Sequence, residues 1–187
     1  MPDYMLMKNL RRHHEETYYH SLRVSHLAFQ LACHAGTDLG TRLAAVRAGL
    51  LHDIGKLHVP ESILAKPGRL SADEYDRVKG HVNSGAVMLK ELGCDSLIVD
   101  AVLGHHERED GSGYPAGTRR NGVLAQIVAV CDVYDAMSEP RDYKPSMGNK
   151  KVLDRMLRGE LGALRMDFVE LLYGVVCEPI ASKRKYR

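Results

Sequence analysis

No stretch of this 187-residue chain approaches the eighteen or so consecutive apolar residues that cross a bilayer. The amino terminus also lacks the basic-then-apolar pattern of an export signal. These absences argue against a helical membrane span and give the expectation of a cytoplasmic protein. The four cysteines, Cys33, Cys94, Cys131 and Cys177, form no C-x-x-C pair, which excludes the common zinc-knuckle and dithiol redox motifs. Cys33 and Cys131 fall in apolar helical patterns and are expected as buried free thiols. Charge of one sign is missing too: 26 Lys plus Arg stand against 24 Asp plus Glu. No net field recruits a nucleic acid polymer or a membrane surface, so an anionic ligand has to be held by a local cluster. Internal repeats, low-complexity tracts and alternating apolar runs that would argue for a sheet are also lacking.

What is present is an ordinary globular balance, 44% hydrophobic and 27% charged, with ten histidines. Length and composition fit one domain over residues 1–182 followed by a basic tail at 183–187. Apolar spacing predicts helices over about 15–35, 38–53, 71–92, 96–106, 121–137, 150–158 and 167–176, giving an all-α bundle of about seven helices. The second carries an apolar stripe of Leu39, Leu43, Val46 and Leu50. Ser71 with Glu74 three residues on reads as a capping box, and Gly85 marks a break within the third segment. Between His106 and Gly117, three glycines and Pro115 demand a loop rather than a continued helix.

Chemistry concentrates at Leu51-His52-Asp53-Ile54-Gly55-Lys56. An imidazole beside a carboxylate suits a divalent metal, and a lysine three residues on can hold a phosphate; the plain alternative is a solvated helix end stopped at Gly55. Glu16 and His20, four apart, share a stripe at the edge of the core. They read either as ligands or as a salt-bridged acid beside a core histidine. Asp132 sits within the most apolar helix, where an ionised carboxylate needs a cation, whether arginine or metal. Together Glu16, His20, His52, Asp53, His81, His105, His106 and Asp132 offer five imidazoles and three carboxylates from separate helices. One ion of four to six ligands cannot use them all, so two or three are implied, with Asp53 the bridge. Arg141 and Lys144 place two cations three apart in a later loop.

These blocks resemble the HD-GYP family of HD-domain metal-dependent phosphohydrolases. The resemblance rests on His20-Ser21-Leu22-Arg23-Val24, His52-Asp53-Ile54-Gly55-Lys56, His81, His105-His106-Glu107-Arg108 leading to Asp110-Gly111-Ser112-Gly113-Tyr114-Pro115, and Asp132-Val133-Tyr134-Asp135-Ala136, spanning about residues 16–178. It implies an HD-domain phosphohydrolase-like fold and hydrolysis of cyclic di-GMP to pGpG, and in many members onward to GMP, by a hydroxide bridging two metals. Some relatives prefer a GMP-AMP hybrid. It further implies two or three divalent ions, iron or manganese, with Glu16 marking the trinuclear kind. Lys56, Arg141 and Lys144 match positions that contact substrate phosphates, Lys56 aids Asp53 in catalysis, and Tyr114 lies by the substrate. Arg141-Asp142-Tyr143 departs from the family's usual Arg-Pro-Tyr, and these 187 residues contain no receiver or sensor domain of the sort often fused to this module. The resemblance leaves room for a signalling-protein partner at the Gly-Tyr-Pro loop and for a homodimer. The competing readings are a catalytically degenerate binding module and a hydrolase of another nucleotide phosphate.

Overall fold

The helices run in chain order as α1 (Pro2–His13), α2 (Glu15–His34), α3 (Leu39–Leu51), a 3-10 turn (Ile54–His58), α4 (Glu61–Leu64), α5 (Ala72–Lys79), α6 (His81–Glu91), α7 (Ser96–Gly104), α8 (Val123–Ser138), α9 (Asn149–Leu157) and α10 (Met166–Cys177). The structure is a computed structural model that describes residues 2–139 and 147–177. Among the described residues there is no strand, as the all-α expectation required. The segments beyond the seven expected come from α1, the single turn α4 and a division of the third segment. That division falls at Gly80, which ends α5 and begins α6, while Gly85 lies inside α6.

Local chemistry sets several of these ends. Asp38 accepts from Thr41 N to start α3, and Asp95 accepts from Leu97 N to start α7. The capping box at α5 is present in full: Ser71 Oγ accepts from Glu74 N, and Glu74 Oε2 accepts from Ser71 N at 2.7 Å. His14, a residue type seldom used this way, caps α2 through its Nδ1, which accepts from Thr17 N at 3.2 Å.

Helix α2 packs against α1, α3, α8 and α10, and α8 also meets α3, α7 and α9, so α2 and α8 form the centre of the bundle. The core there includes Val24, Ala28 and Leu31 of α2, Ala45, Ala48 and Leu51 of α3, and Ile127, Val128 and Cys131 of α8. The expected apolar stripe of α3 is corrected: Leu39 and Leu43 are 66% and 58% exposed, and the buried face is Ala45, Ala48, Gly49 and Leu51. The reason is the closeness of α2. A Cβ at Gly49 would stand 2.9 Å from Ser25 Cα, so the contacting face must be built from small residues. Cys131 is buried as expected, whereas Cys33 is only half-buried.

A second close approach positions the chemistry. The 3-10 turn lies against α6 with Gly55 over Gly85, and a Cβ at Gly55 would collide with His81 O and come within 2.6 Å of Gly85 N. Backbone contact of this kind brings Asp53 and His81 together. Gly55→Ala should therefore lower stability by about 2 kcal/mol or more in chemical denaturation. Gly174→Ala, in α10 with nothing within 4 Å of its Cβ, should leave stability unchanged or raise it by about 1 kcal/mol.

Candidate metal centre

Three histidines reach the centre by one device. His52 follows the last residue of α3, His105 follows the last residue of α7, and His81 follows the junction closing α5. Helix ends leave carbonyls without intrahelical donors. Each of these rings donates Nδ1–H to such a carbonyl three residues back: His52 to Gly49 at 2.8 Å, His81 to Val78 at 2.6 Å and His105 to Val102 at 2.8 Å. A carbonyl only accepts, so Nδ1 carries a proton, and in the neutral ring Nε2 is then a lone pair.

These lone pairs converge. His81 Nε2 and His105 Nε2 stand 3.4 Å apart, and His52 Nε2 is 3.4 Å from Asp53 Oδ2 with no hydrogen-bond partner among the described residues. Acceptor facing acceptor in a buried pocket is unfavourable without a cation between them. Burial lowers the pKa of His81 and His105 and takes His106 down to about 3, so these rings stay neutral, the ligand form. The donor set therefore fits divalent metal ions.

The ligand atoms fall into three trios, each within 4.8 Å: His81, His105 and His106; His20, His52 and Asp132; and His52, Asp53 and His105. Asp53 lies between the first two, its Oδ1 3.2 Å from His81 Nε2 and its Oδ2 3.4 Å from His52 Nε2 and 3.8 Å from His20 Nε2. Burial opposes ionisation of Asp53, but the Lys56 ammonium beside it outweighs this and holds the carboxyl well below its usual range. Seven of the eight expected ligands are thus brought together. None of the three trios contains Glu16, which lies in the first turn of α2, exposed, beside the cavity that His20 and Lys56 also line.

His20 is held differently. Its Nδ1 is 2.6 Å from Asp135 Oδ2 and its Nε2 3.0 Å from Asp132 Oδ1. Arg23 in turn donates Nε and an Nη to the two oxygens of Asp135 at 2.8 and 2.9 Å. Burial lowers the His20 pKa, but hydrogen bonds to Asp132 and Asp135 prevail and raise it to about 9. Asp135 and Arg23 were not singled out from sequence, although the signal existed: each lies three residues after a site residue on the same helix, Asp132 and His20.

Glu107 was missed as well. It is buried, and its two oxygens accept from Ala116 N at 2.7 Å and Thr118 N at 2.9 Å, fastening the loop of Gly113 and Tyr114 to the end of α7. A Cβ at Gly113 would strike backbone at residues 106–108, so the loop needs glycine there. The Tyr114 ring stacks on His106 at 4.6 Å, and burial raises its phenol pKa, which stays protonated. Lys56 donates Nζ–H to Asp53 Oδ2 at 2.6 Å. Arg141 and Lys144 lie outside the described residues.

A family profile described as HD domain matches residues 5–167. The chain belongs to the HD-domain family. Among curated relatives, a Pseudomonas aeruginosa protein named as a cyclic di-GMP phosphodiesterase is 43% identical to this HD-domain chain, over 79% of it and 36% of the relative. A Vibrio cholerae protein named as a 3′3′-cGAMP-specific phosphodiesterase is 37% identical over 81% and 35%. The chain thus spans about a third of the length of these relatives. Of solved structures, an HDG"Y"P protein from Bdellovibrio bacteriovorus superposes with a TM-score of 0.70 at 20% identity, covering 84% of this chain and 51% of that one. The HD domain of a Listeria monocytogenes phosphodiesterase, in complex with cyclic di-AMP, gives 0.66 at 22% identity over 97% and 99%. At such identities the structures speak for the fold, while the curated relatives bear out the HD-GYP resemblance read from the motifs.

The His20 cluster makes the chelator-stripped chain sensitive to alkali. A histidine whose pKa is higher folded than unfolded contributes fully below the unfolded value and loses that contribution as pH rises through the folded one. The window here runs from about 6.5 to about 9. Metal-free protein should lose stability across it, by up to about 3 kcal/mol from this group. His20→Gln should flatten that part of the pH profile, as followed by denaturant titration.

Proposed function

We propose that this chain is a metal-dependent phosphodiesterase, with residues 1–182 as its catalytic domain, that hydrolyses cyclic di-GMP to pGpG in the cytoplasm. The observation that carries the proposal is Asp53, whose two oxygens face different histidine groups, as a carboxylate shared between two ions does. In support stand the locked tautomers, the neutral imidazoles and relatives named for cyclic di-GMP or 3′3′-cGAMP.

His20, His52 and Asp132 would hold one ion and His81, His105 and His106 its neighbour, with Asp53 common to both. Glu16 beside His20 is the place for a third. Imidazole and carboxylate together suit iron or manganese. Bound there, such ions supply charge neutralisation for the phosphodiester and a water of near-neutral pKa. The chain's own groups do the rest. Asp135 orients His20 and makes it a better donor, and Arg23 holds Asp135 in turn. Lys56, displaced from Asp53 by a cation, has a phosphate as its natural partner, where Arg141 and Lys144 would join it. Tyr114 walls the site over His106 without ionising.

Purified anaerobically with metal, the protein should convert cyclic di-GMP, with products followed by nucleotide chromatography and 3′3′-cGAMP run alongside. Absence of turnover on either dinucleotide would favour the binding-module reading. Asp53→Ala should cut turnover by about 100-fold or more and lower bound metal together; retention of both would refute the shared carboxylate. Asp135→Asn should weaken metal retention by about 10- to 100-fold in chelator competition while the fold survives.

A further inference from the structure

Beside the metal centre lies a cavity of about 320 Å³, and the chemistry above uses its His20, Glu16 and Lys56 but leaves the rest of its lining without a role. His20 and Lys56, which contact Asp132 and Asp53, line its inner end. His14, Glu16 and Thr17 line it as well, and Ile63, Leu64, Leu70 and Val78 give it an apolar wall. The volume suits one nucleoside rather than a whole cyclic dinucleotide. The apolar wall is carried on α4, the connection after it and α5, and Lys66 holds that connection by donating to both Glu74 oxygens at 2.8 and 2.7 Å.

His14 gives the cavity a polar mark of known sense. Its Nδ1 accepts from Thr17 N, and an amide can only donate, so Nδ1 carries no proton and the neutral ring carries its hydrogen on Nε2. Capping α2 therefore fixes the tautomer. His14 lines the cavity, and the ring nitrogen not used in the cap is a donor.

We infer that this cavity is the nucleoside pocket of the active site: the apolar wall covers a purine face, and His14 Nε2–H donates to an acceptor on the purine edge. Lys56 at the inner end then meets the phosphate that joins this nucleoside to the metals. The inference rests on the phosphodiesterase reading and adds which residues select a nucleotide over a plain phosphodiester.

The test compares cyclic di-GMP with bis(p-nitrophenyl) phosphate, a diester with no purine, on metal-loaded protein, and measures cyclic di-GMP binding by calorimetry with a calcium-substituted sample. His14→Asn keeps a capping oxygen for Thr17 N but removes the imidazole edge. It should lower the ratio of kcat/KM for cyclic di-GMP to that for the plain diester by about three- to tenfold, mainly through KM. Leu70→Trp, which fills the cavity, should lower the ratio further. Unchanged ratios in both variants, with the wild type cleaving both diesters, would overturn the pocket and leave the phosphodiesterase reading intact. If the wild type binds cyclic di-GMP without cleaving it and both variants weaken that binding, the pocket stands and the hydrolytic reading fails. Binding unaffected in both variants would overturn the pocket in either case.

Discussion

The centre of this protein is an electrostatic contradiction held in place by packing. Nitrogen lone pairs of His52, His81 and His105 are aimed at one another and at the Asp53 carboxylate in a buried space of low dielectric. A fold maintains such an arrangement only if other interactions hold its parts, and here they do. The close crossing of α2 on α3 at Gly49 and the seating of the 3-10 turn on α6 at Gly55 fix the backbones, and the terminal carbonyls fix the rings. A divalent cation resolves the conflict, so the unfavourable contacts of the bare chain become its affinity for metal.

The two halves of the centre are stabilised by different means. On the α5, α6 and α7 side, burial keeps the imidazoles neutral, with no ion pair needed to orient them. On the α2 and α8 side, Asp132, Asp135 and Arg23 make His20 strongly basic, so without metal a proton takes the cationic role. Lys56 does the same for Asp53. Proton, ammonium and metal thus compete for one set of carboxylates, and the outcome decides which groups are left for a phosphate.

Much of this was legible in the sequence because its signals were chemical. His52-Asp53, His81, His105-His106 and Asp132 are residue types that a helical core does not bury without purpose, and seven of the eight named donors converge. The capping box at Ser71 was readable for the same reason, since its partners are three residues apart. What escaped depended on partners distant in the chain. The outward turn of Leu39 and Leu43 follows from how closely Ser25 approaches Gly49. Glu107 looked like part of a charged loop, and only its bonds to Ala116 and Thr118 reveal it as a strap. Helix α1, with Leu6, Met7 and Leu10 buried, went unread among charged neighbours. The capping role of His14 is equally hard to read, because histidine is an uncommon cap and looks like a surface or packing residue.

Since His52, His81 and His105 each take their orienting partner from the terminal turn just behind them, aim and position are set separately. The ring is pointed by three residues of local chain, while its location is left to the packing of whole helices. A family built this way can lengthen or replace the connections between helices, as over residues 59–70 or 107–122, without retuning any of these three imidazoles. Diversification of the surrounding loops, and with them of what the centre acts upon, is uncoupled from the geometry of the centre itself.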